Sequence, residues 1–213
     1  MSEEKVRIFP LVVSMTLISA IAAGLMGWAY YVTAEPIRTA QIKKSNAALN
    51  DVLPAFDNQP SEETAVFGGV KFYIGRAGGK VSGFAGEFTT PKGYNGDVTV
   101  LAGFTPDGKI TTVIVTQQSE TPGLGTVVTD RRRQKTISTV LANEKESGLP
   151  PNRILDQFAG MNVAAAGAPW KVKKDGGGFD AITGATITSR AVVDAVYTVT
   201  AAFAENCDKL RDK

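Results

Sequence analysis

The stretch DVTVLAGFTPDGKITTVIVTQ, residues 97–117, contains two apolar segments on either side of a turn. Apolar and other side chains alternate from Val98 to Phe104, and a second apolar run extends from Ile110 to Val115. The Pro-Asp-Gly sequence at 106–108 favours a turn, because proline fixes φ and glycine permits positive φ. The pattern predicts an antiparallel hairpin. A similar pattern in residues 70–88, around the segment AGGK, predicts a second hairpin, so the two together predict an antiparallel sheet.

Helical patterns occur on both sides of these hairpins. Apolar side chains recur at helical spacing in residues 34–56, and Pro54 is expected to end that helix. A helix is also predicted over Thr126–Asn143, where the basic run at 131–135 indicates a solvated face or a contact with anionic lipid or a partner. Three more elements are predicted beyond it: a short helix over 153–158, a strand around 170–172 and a terminal helix over 189–210. The predicted fold class is α+β, an antiparallel sheet with flanking helices.

The N-terminal region contains an apolar run, residues 8–32, that has no charged residue. As a helix rising about 1.5 Å per residue, this run exceeds the roughly 30 Å hydrocarbon layer of a bilayer. Trp28, Tyr30 and Tyr31 lie near its C-terminal end, as expected for aromatic rings at the headgroup level. A cleavable signal peptide and a buried core helix are the alternatives. We predict a single-pass membrane anchor in residues 1–34 and a second domain in residues 35–213.

The charges beside this span do not decide its orientation. Lys5 and Arg7 precede it, and Arg38, Lys43 and Lys44 follow it, whereas topology depends on an asymmetry of such residues. A short N-terminal segment most simply stays inside the cell while the larger domain is exported. The expectation is therefore an extracytoplasmic C-terminal domain.

The composition excludes several classes of function. The net charge of +2 gives no reason to expect a nucleic-acid partner. The chain has no histidine, the commonest general base and haem ligand, and its single Cys207 cannot hold an iron–sulfur cluster. We therefore predict no metal site and no catalytic residue of the protein's own, and any redox chemistry would need a bound organic cofactor.

The segment DAITGATITS, residues 180–189, leads into the predicted terminal helix. Free N–H groups and the positive end of the helix dipole favour an anion, particularly a phosphate, at such a place. Gly184 and Ala185 are small enough to let a bulky group approach the backbone. The alternative is ordinary helix capping by Thr186, Thr188 or Ser189.

A second glycine-rich segment, SETPGLGT, occupies residues 119–126. Turn formation alone explains its composition, because Pro122 fixes φ while Gly123 and Gly125 permit positive φ or the close approach of another group. Local composition leaves both interpretations open.

Three segments together are similar to one known family. DAITGAT at 180–186, SETPGLGT at 119–126 and GYNG at 93–96 resemble the covalent-FMN domain of the membrane-anchored G subunit of Rnf electron-transport complexes. The C subunit of sodium-translocating NADH:quinone reductases is related and also similar. The resemblance extends over nearly the whole chain, from the N-terminal span to the terminal helix.

The resemblance implies a cofactor and the residues that bind it. In this family the last threonine of the [ST]-G-A-T signature is esterified to the FMN phosphate, which corresponds to Thr186 here. The rest of the signature is Thr183, Gly184 and Ala185. The family also places the loop at 119–126 near the flavin. The residues expected to line the site there are Glu120, Thr121, Leu124 and Gly125.

The resemblance further implies that the chain relays electrons and lies in the inner membrane, that is, the cell membrane. The partners would be the other membrane subunits of an ion-translocating ferredoxin:NAD oxidoreductase and a magnesium-dependent flavin transferase that takes FMN from FAD. The phosphoester would also make the chain a phosphoprotein. The chain would act as an oxidoreductase only as a subunit of its complex. The alternatives are the flavin subunit of a quinone reductase and a membrane-tethered scaffold without cofactor.

Overall fold

The computed structural model describes residues 8–131, 149–165 and 167–212. The chain divides into two compact units, residues 1–44 and 45–213. The first contains most of helix α1, Ile8–Val52, which has Pro36 inside it. Within α1, Phe9–Ala40 is long and apolar enough to cross a membrane, and none of its most apolar window is buried in protein. One N-terminal apolar helix of this kind fits a membrane anchor.

The second unit contains a five-stranded sheet in which every strand pairs with its neighbour in the chain. The strand order is β1-β2-β3-β4-β5, and all pairs are antiparallel. The strands are β1 (Thr64–Phe67), β2 (Val70–Ala77), β3 (Lys80–Thr90), β4 (Val98–Phe104) and β5 (Ile110–Gln117). Gly78 and Gly79 at the β2–β3 turn and Gly108 at the β4–β5 turn have positive φ, so both predicted hairpins are confirmed.

Helices complete the α+β fold that the sequence predicts. After the sheet come α2 (Gly125–Thr129), α3 (Arg153–Asp156) and the long terminal helix α4 (Thr186–Arg211). Two short 3-10 turns, Val163–Ala165 and Lys173–Asp175, lie between α3 and α4.

Helix α4 packs on one face of the sheet. Phe203 lies at its centre, with its ring stacked on that of Phe104 at 4.4 Å and tilted against that of Phe84 at 5.3 Å, measured between ring centroids. The opposite face contacts the C-terminal end of α1, where Leu49 and Val52 are buried. The sheet is therefore covered on both faces, which explains why β4 is buried along its whole length and not only at alternate residues.

The close packing of α1 requires a glycine in β4. A Cβ atom at Gly103 would lie 2.2 Å from the carbonyl oxygen of Val52. Only glycine lets the two backbones approach this closely.

Two helices of the structure have different bounds from those that the sequence predicts. The helix expected over 34–56 is the end of α1, and it finishes at Val52, two residues before Pro54. The helix expected over 126–143 ends at Thr129, because Asp130 has extended φ and ψ angles. Residues 132–148 lie outside the described residues, and most of the predicted basic run lies with them.

Arg131, at the start of that run, is not on a solvated helix face. Its side chain is only 8% exposed. The guanidinium donates hydrogen bonds to the carbonyl oxygens of Val113 and Pro150 and forms an ion pair with Asp156 at 2.6 Å. Arg131 therefore joins β5 to the segment before α3.

The prediction of a strand around 170–172 is wrong. Val172 forms only an isolated bridge with Phe179, and the chain between them folds into the 3-10 turn Lys173–Asp175. Gly176, with φ of 81°, ends that turn. The predicted short helix over 153–158 ends two residues early, at Asp156.

Candidate functional site

The N-terminus of α4 carries unsatisfied backbone donors. Gly184 has φ of 88°, which turns the chain into the helix, and Ala185 is the N-cap residue without a side-chain hydrogen bond. The backbone N–H groups of Thr186, Ile187 and Thr188 have no hydrogen-bond acceptor in the part of the chain that the structure describes. Three such groups at a helix N-terminus can bind an anion.

The hydroxyl groups near this helix start have different environments. Thr188 is buried and its hydroxyl donates to Glu120 Oε2 at 2.8 Å. Ser189 donates to the carbonyl oxygen of Ala185 at 3.0 Å and accepts from the N–H of Ile182. Thr186 is half-buried, and its hydroxyl has no partner among the described residues. None of the three acts as the N-cap, so the capping alternative is not what the structure contains.

Glu120 connects this helix start to two loops. The residue is 5% exposed. Oε1 accepts from the N–H of Tyr94 at 2.7 Å and, at 3.5 Å, from the N–H of Asn95, while Oε2 accepts from Thr188. A buried carboxylate is tolerated only with such partners. Glu120 therefore holds loop 93–96, the loop after β5 and α4 together.

Two glycines make room for that carboxylate. A Cβ atom at Gly125 would lie 2.5 Å from Glu120 Oε2, and one at Gly93 would lie 2.7 Å from Oε1. The glycines of loops 93–96 and 119–126 thus allow close approach to Glu120, in addition to any role in turning the chain.

A cavity of about 420 Å³ opens at the N-terminus of α4. This volume lies within the usual range for small-molecule sites, roughly 300–1,000 Å³. All predicted site residues except Thr183, which is exposed, line it. They are Glu120, Thr121, Leu124, Gly125, Gly184, Ala185 and Thr186. Four residues that were not predicted as site residues also line it: Tyr94, Ile187 and Thr188, which lie within the quoted motifs, and Lys174, which lies outside them.

The rim of the cavity is apolar. Tyr94 is 66% exposed, Leu124 is 49% exposed and Ile187 is 46% exposed, and exposed apolar side chains grouped around one cavity are typical of a binding site. An aromatic ring bound in the cavity would cover them. The charged lining residues are the Glu120 carboxylate and the Lys174 ammonium group.

Ion pairs hold residues 173–180, the segment that precedes the cavity residues of α4. Asp175 accepts from Arg190 at both carboxylate oxygens, and this hydrogen bonding holds the pKa of Asp175 below its usual value. Asp180 pairs with Lys173 and Arg153, which lower its pKa in the same way. All these side chains are partly exposed, so solvent screens the pairs, which position the segment more than they stabilise the fold.

Replacing Gly184 with alanine is expected to destabilise the protein by about 1–2 kcal/mol, because an L-residue is strained at positive φ. The comparison is Gly178→Ala, at an exposed glycine whose φ is not in the left-handed range and whose Cβ would contact nothing within 4 Å. Chemical denaturation of the full chain in detergent measures the difference. Equal midpoints for the two variants would contradict the assignment of strain to Gly184.

A family model and several relatives match the chain. A family model described as an FMN-binding domain matches residues 93–201, which include the cavity. The G subunit of an ion-translocating oxidoreductase complex from Vibrio atlanticus (strain LGP32) is 32% identical over 193 residues, covering 85% of this chain and 83% of the relative. The protein of the same name from Haemophilus influenzae (strain PittEE) is 33% identical over 186 residues, covering 84% and 79%.

Proposed function

The chain belongs to the family of the G subunits of ion-translocating oxidoreductase complexes, and on that premise we propose that it relays electrons through an FMN esterified to Thr186. It is a flavin subunit of such a complex. The finer points, the covalent bond and the residues that line the cofactor site, are our proposal. The single observation that carries it is that the hydroxyl of Thr186 and three neighbouring N–H groups, at one end of the cavity, have no hydrogen-bond partner among the described residues.

The residues of the cavity fit FMN. The N–H groups of residues 186–188 suit a phosphate, and the rim of Tyr94, Leu124 and Ile187 suits the edge or face of an aromatic ring. A phosphodiester keeps one negative charge, which these N–H groups can solvate. When bound, FMN would supply the one- and two-electron chemistry that no side chain here can provide.

The chain's own residues position and protect the cofactor. Glu120 fixes the two loops against α4, and the turn at Gly184 directs Thr186 toward the cavity wall. No side chain in the described part of the chain hydrogen-bonds to the Thr186 hydroxyl and could act as its base. The resemblance implies that a separate flavin transferase attaches the cofactor, and the absence of such a base agrees with this. In that step the Thr186 oxygen bonds to the flavin phosphorus of FAD, AMP leaves, and the enzyme takes the hydroxyl proton.

The relay depends on other subunits. The chain would act as a redox component of the complex and not as an autonomous enzyme, with the remaining membrane subunits as its partners. We propose ferredoxin and NAD as the terminal couples, as in Rnf-type complexes. The flavin subunit of a sodium-translocating quinone reductase is the alternative, and purification of the native complex with its partner subunits decides between them.

An intact mass tests the cofactor proposal directly. Native protein purified from its own source should carry the mass of one FMN minus one water, localised to the peptide that contains Thr186. The band should also fluoresce under ultraviolet light after denaturing electrophoresis. A native protein of unmodified mass would favour a membrane-tethered scaffold without cofactor.

We also propose that residues 1–34 anchor the protein in the cell membrane and that residues 35–213 lie outside the cytoplasm. An external site would favour a covalent cofactor, because a dissociated flavin would be lost by dilution. In a Cys207→Ser background, a membrane-impermeant maleimide should label Gly178→Cys in intact cells, since Gly178 is exposed. Labelling that requires cell lysis would place the domain inside.

A further inference from the structure

Two anions would share the cavity once the cofactor is attached. Glu120 already places a buried carboxylate there, and the phosphodiester at Thr186 would add a second charge. Like charges in a partly dehydrated site repel each other unless a cation lies nearby. Lys174 is the cation among the residues that line the cavity. Its ammonium group forms no ion pair or hydrogen bond within the described chain.

Lys174 lies in the loop between Val172 and Phe179, and both of its neighbours in the chain form ion pairs. Lys173 pairs with Asp180 at 2.7 Å. Asp175 pairs with Arg190, whose two donor nitrogens both lie 2.6 Å from its carboxylate oxygens. Arg190 is one helical turn beyond Thr186 on α4, so the ion pair ties the loop to the helix that starts at the cavity.

The backbone of this loop is equally constrained. Its 3-10 turn closes through hydrogen bonds from the N–H groups of Asp175 and Gly177 to the carbonyl oxygen of Val172. A Cβ atom at Gly177 would lie 2.0 Å from the carbonyl oxygen of Lys171, so this compact form requires glycine there. Both neighbours of Lys174 are engaged in ion pairs, whereas Lys174 lines the cavity and acts on Asp175 only through its charge.

From these contacts we propose that Lys174 is the positioning cation for the FMN phosphate, and that the Asp175–Arg190 ion pair holds it at the cavity. This inference rests on the proposed function. The lysine attracts the phosphoryl group of the incoming flavin and balances the phosphodiester beside Glu120 after attachment. Because the cavity is partly open to solvent, its contribution is moderate and weakens with salt.

The test measures the initial rate of flavin attachment. Purified full-length protein in detergent is incubated with the transferase, FAD and Mg²⁺, and the mass increase is followed. Lys174→Gln should lower the rate by about threefold to tenfold at low salt, Lys174→Arg should retain most of it, and the gap should narrow at high salt. The matched control is Lys80→Gln, at an exposed lysine at the start of β3.

A second measurement separates a contact with the phosphate from a contact with the transferase. In fully flavinylated protein, free of the transferase, the phosphorus NMR resonance of the phosphodiester should differ between Lys174→Gln and wild type, because an adjacent cation polarises the phosphoryl oxygens. The resonance in Lys80→Gln should match that of wild type. An unchanged resonance in Lys174→Gln, or an unchanged attachment rate, would overturn this inference and leave the cofactor proposal intact. A wild-type protein that accepts no flavin would overturn both.

Discussion

Thr186→Ala is expected to abolish covalent flavin while leaving the protein folded. The substitution removes the oxygen that would carry the phosphoester, and no other free hydroxyl lies in the first turn of the helix, since Thr188 and Ser189 are engaged in hydrogen bonds. The Thr186 side chain has no hydrogen-bond partner among the described residues, so its loss costs little stability. Denaturing electrophoresis and intact mass measure the result: a fluorescent band in wild type and a dark band of unmodified mass in the variant.

Two controls make this result specific. Ser61→Ala removes an exposed hydroxyl that does not line the cavity, and attachment should persist. Thr186→Ser keeps a hydroxyl at the position and should retain part of the attachment. A Thr186→Ala protein that still carries flavin, with the added mass on another residue, would show that the assignment of the acceptor is wrong.

Local sequence signals predicted most of the fold. Each hairpin has its turn residues and its alternating strands within about 20 consecutive positions, so the pairing partner lies close in sequence. The terminal helix has an apolar face over many turns and was equally clear. The predictions fail where contacts with residues distant in the sequence determine the local conformation. Arg131, for instance, is held by Val113 and Asp156 and so leaves the helix that its own neighbours favour.

The motifs predict most of the residues that line the cavity, but not all of them. Thr186 and the loop at 119–126 lie in recognisable segments, whereas Lys174 lies in none and joins the cavity only through folding. Thr188 shows the same limit. Its position suggests a helix cap, yet its hydroxyl donates to Glu120, 68 positions earlier in the chain. Buried charge on a distant loop overrides a local capping preference, because an unpaired carboxylate costs more than an unfilled cap.

Glu120→Ala is expected to have the second large effect, on the assembly of the site. The substitution removes the acceptor for the N–H of Tyr94 and for the buried hydroxyl of Thr188. Hydrogen bonds to a charged group contribute about 1.5–3 kcal/mol each, and part of this is regained when water reaches Tyr94. We expect a loss of about 2–4 kcal/mol in the free energy of unfolding, together with poor flavin attachment. Chemical denaturation and hydrogen exchange of segments 93–96 and 119–126 measure both consequences.

Glu205→Ala is the matched control, because Glu205 is exposed on α4 and its side chain hydrogen-bonds to no other described residue. Glu120→Gln should fall between the two, since the amide keeps the shape but offers only one accepting oxygen to donors on both sides. Faster exchange confined to the two loops and the first turn of α4 would show that the carboxylate joins these three segments. If exchange there is as slow in Glu120→Ala as in Glu205→Ala, the loops are held by their own turns, and the cavity does not depend on the buried charge.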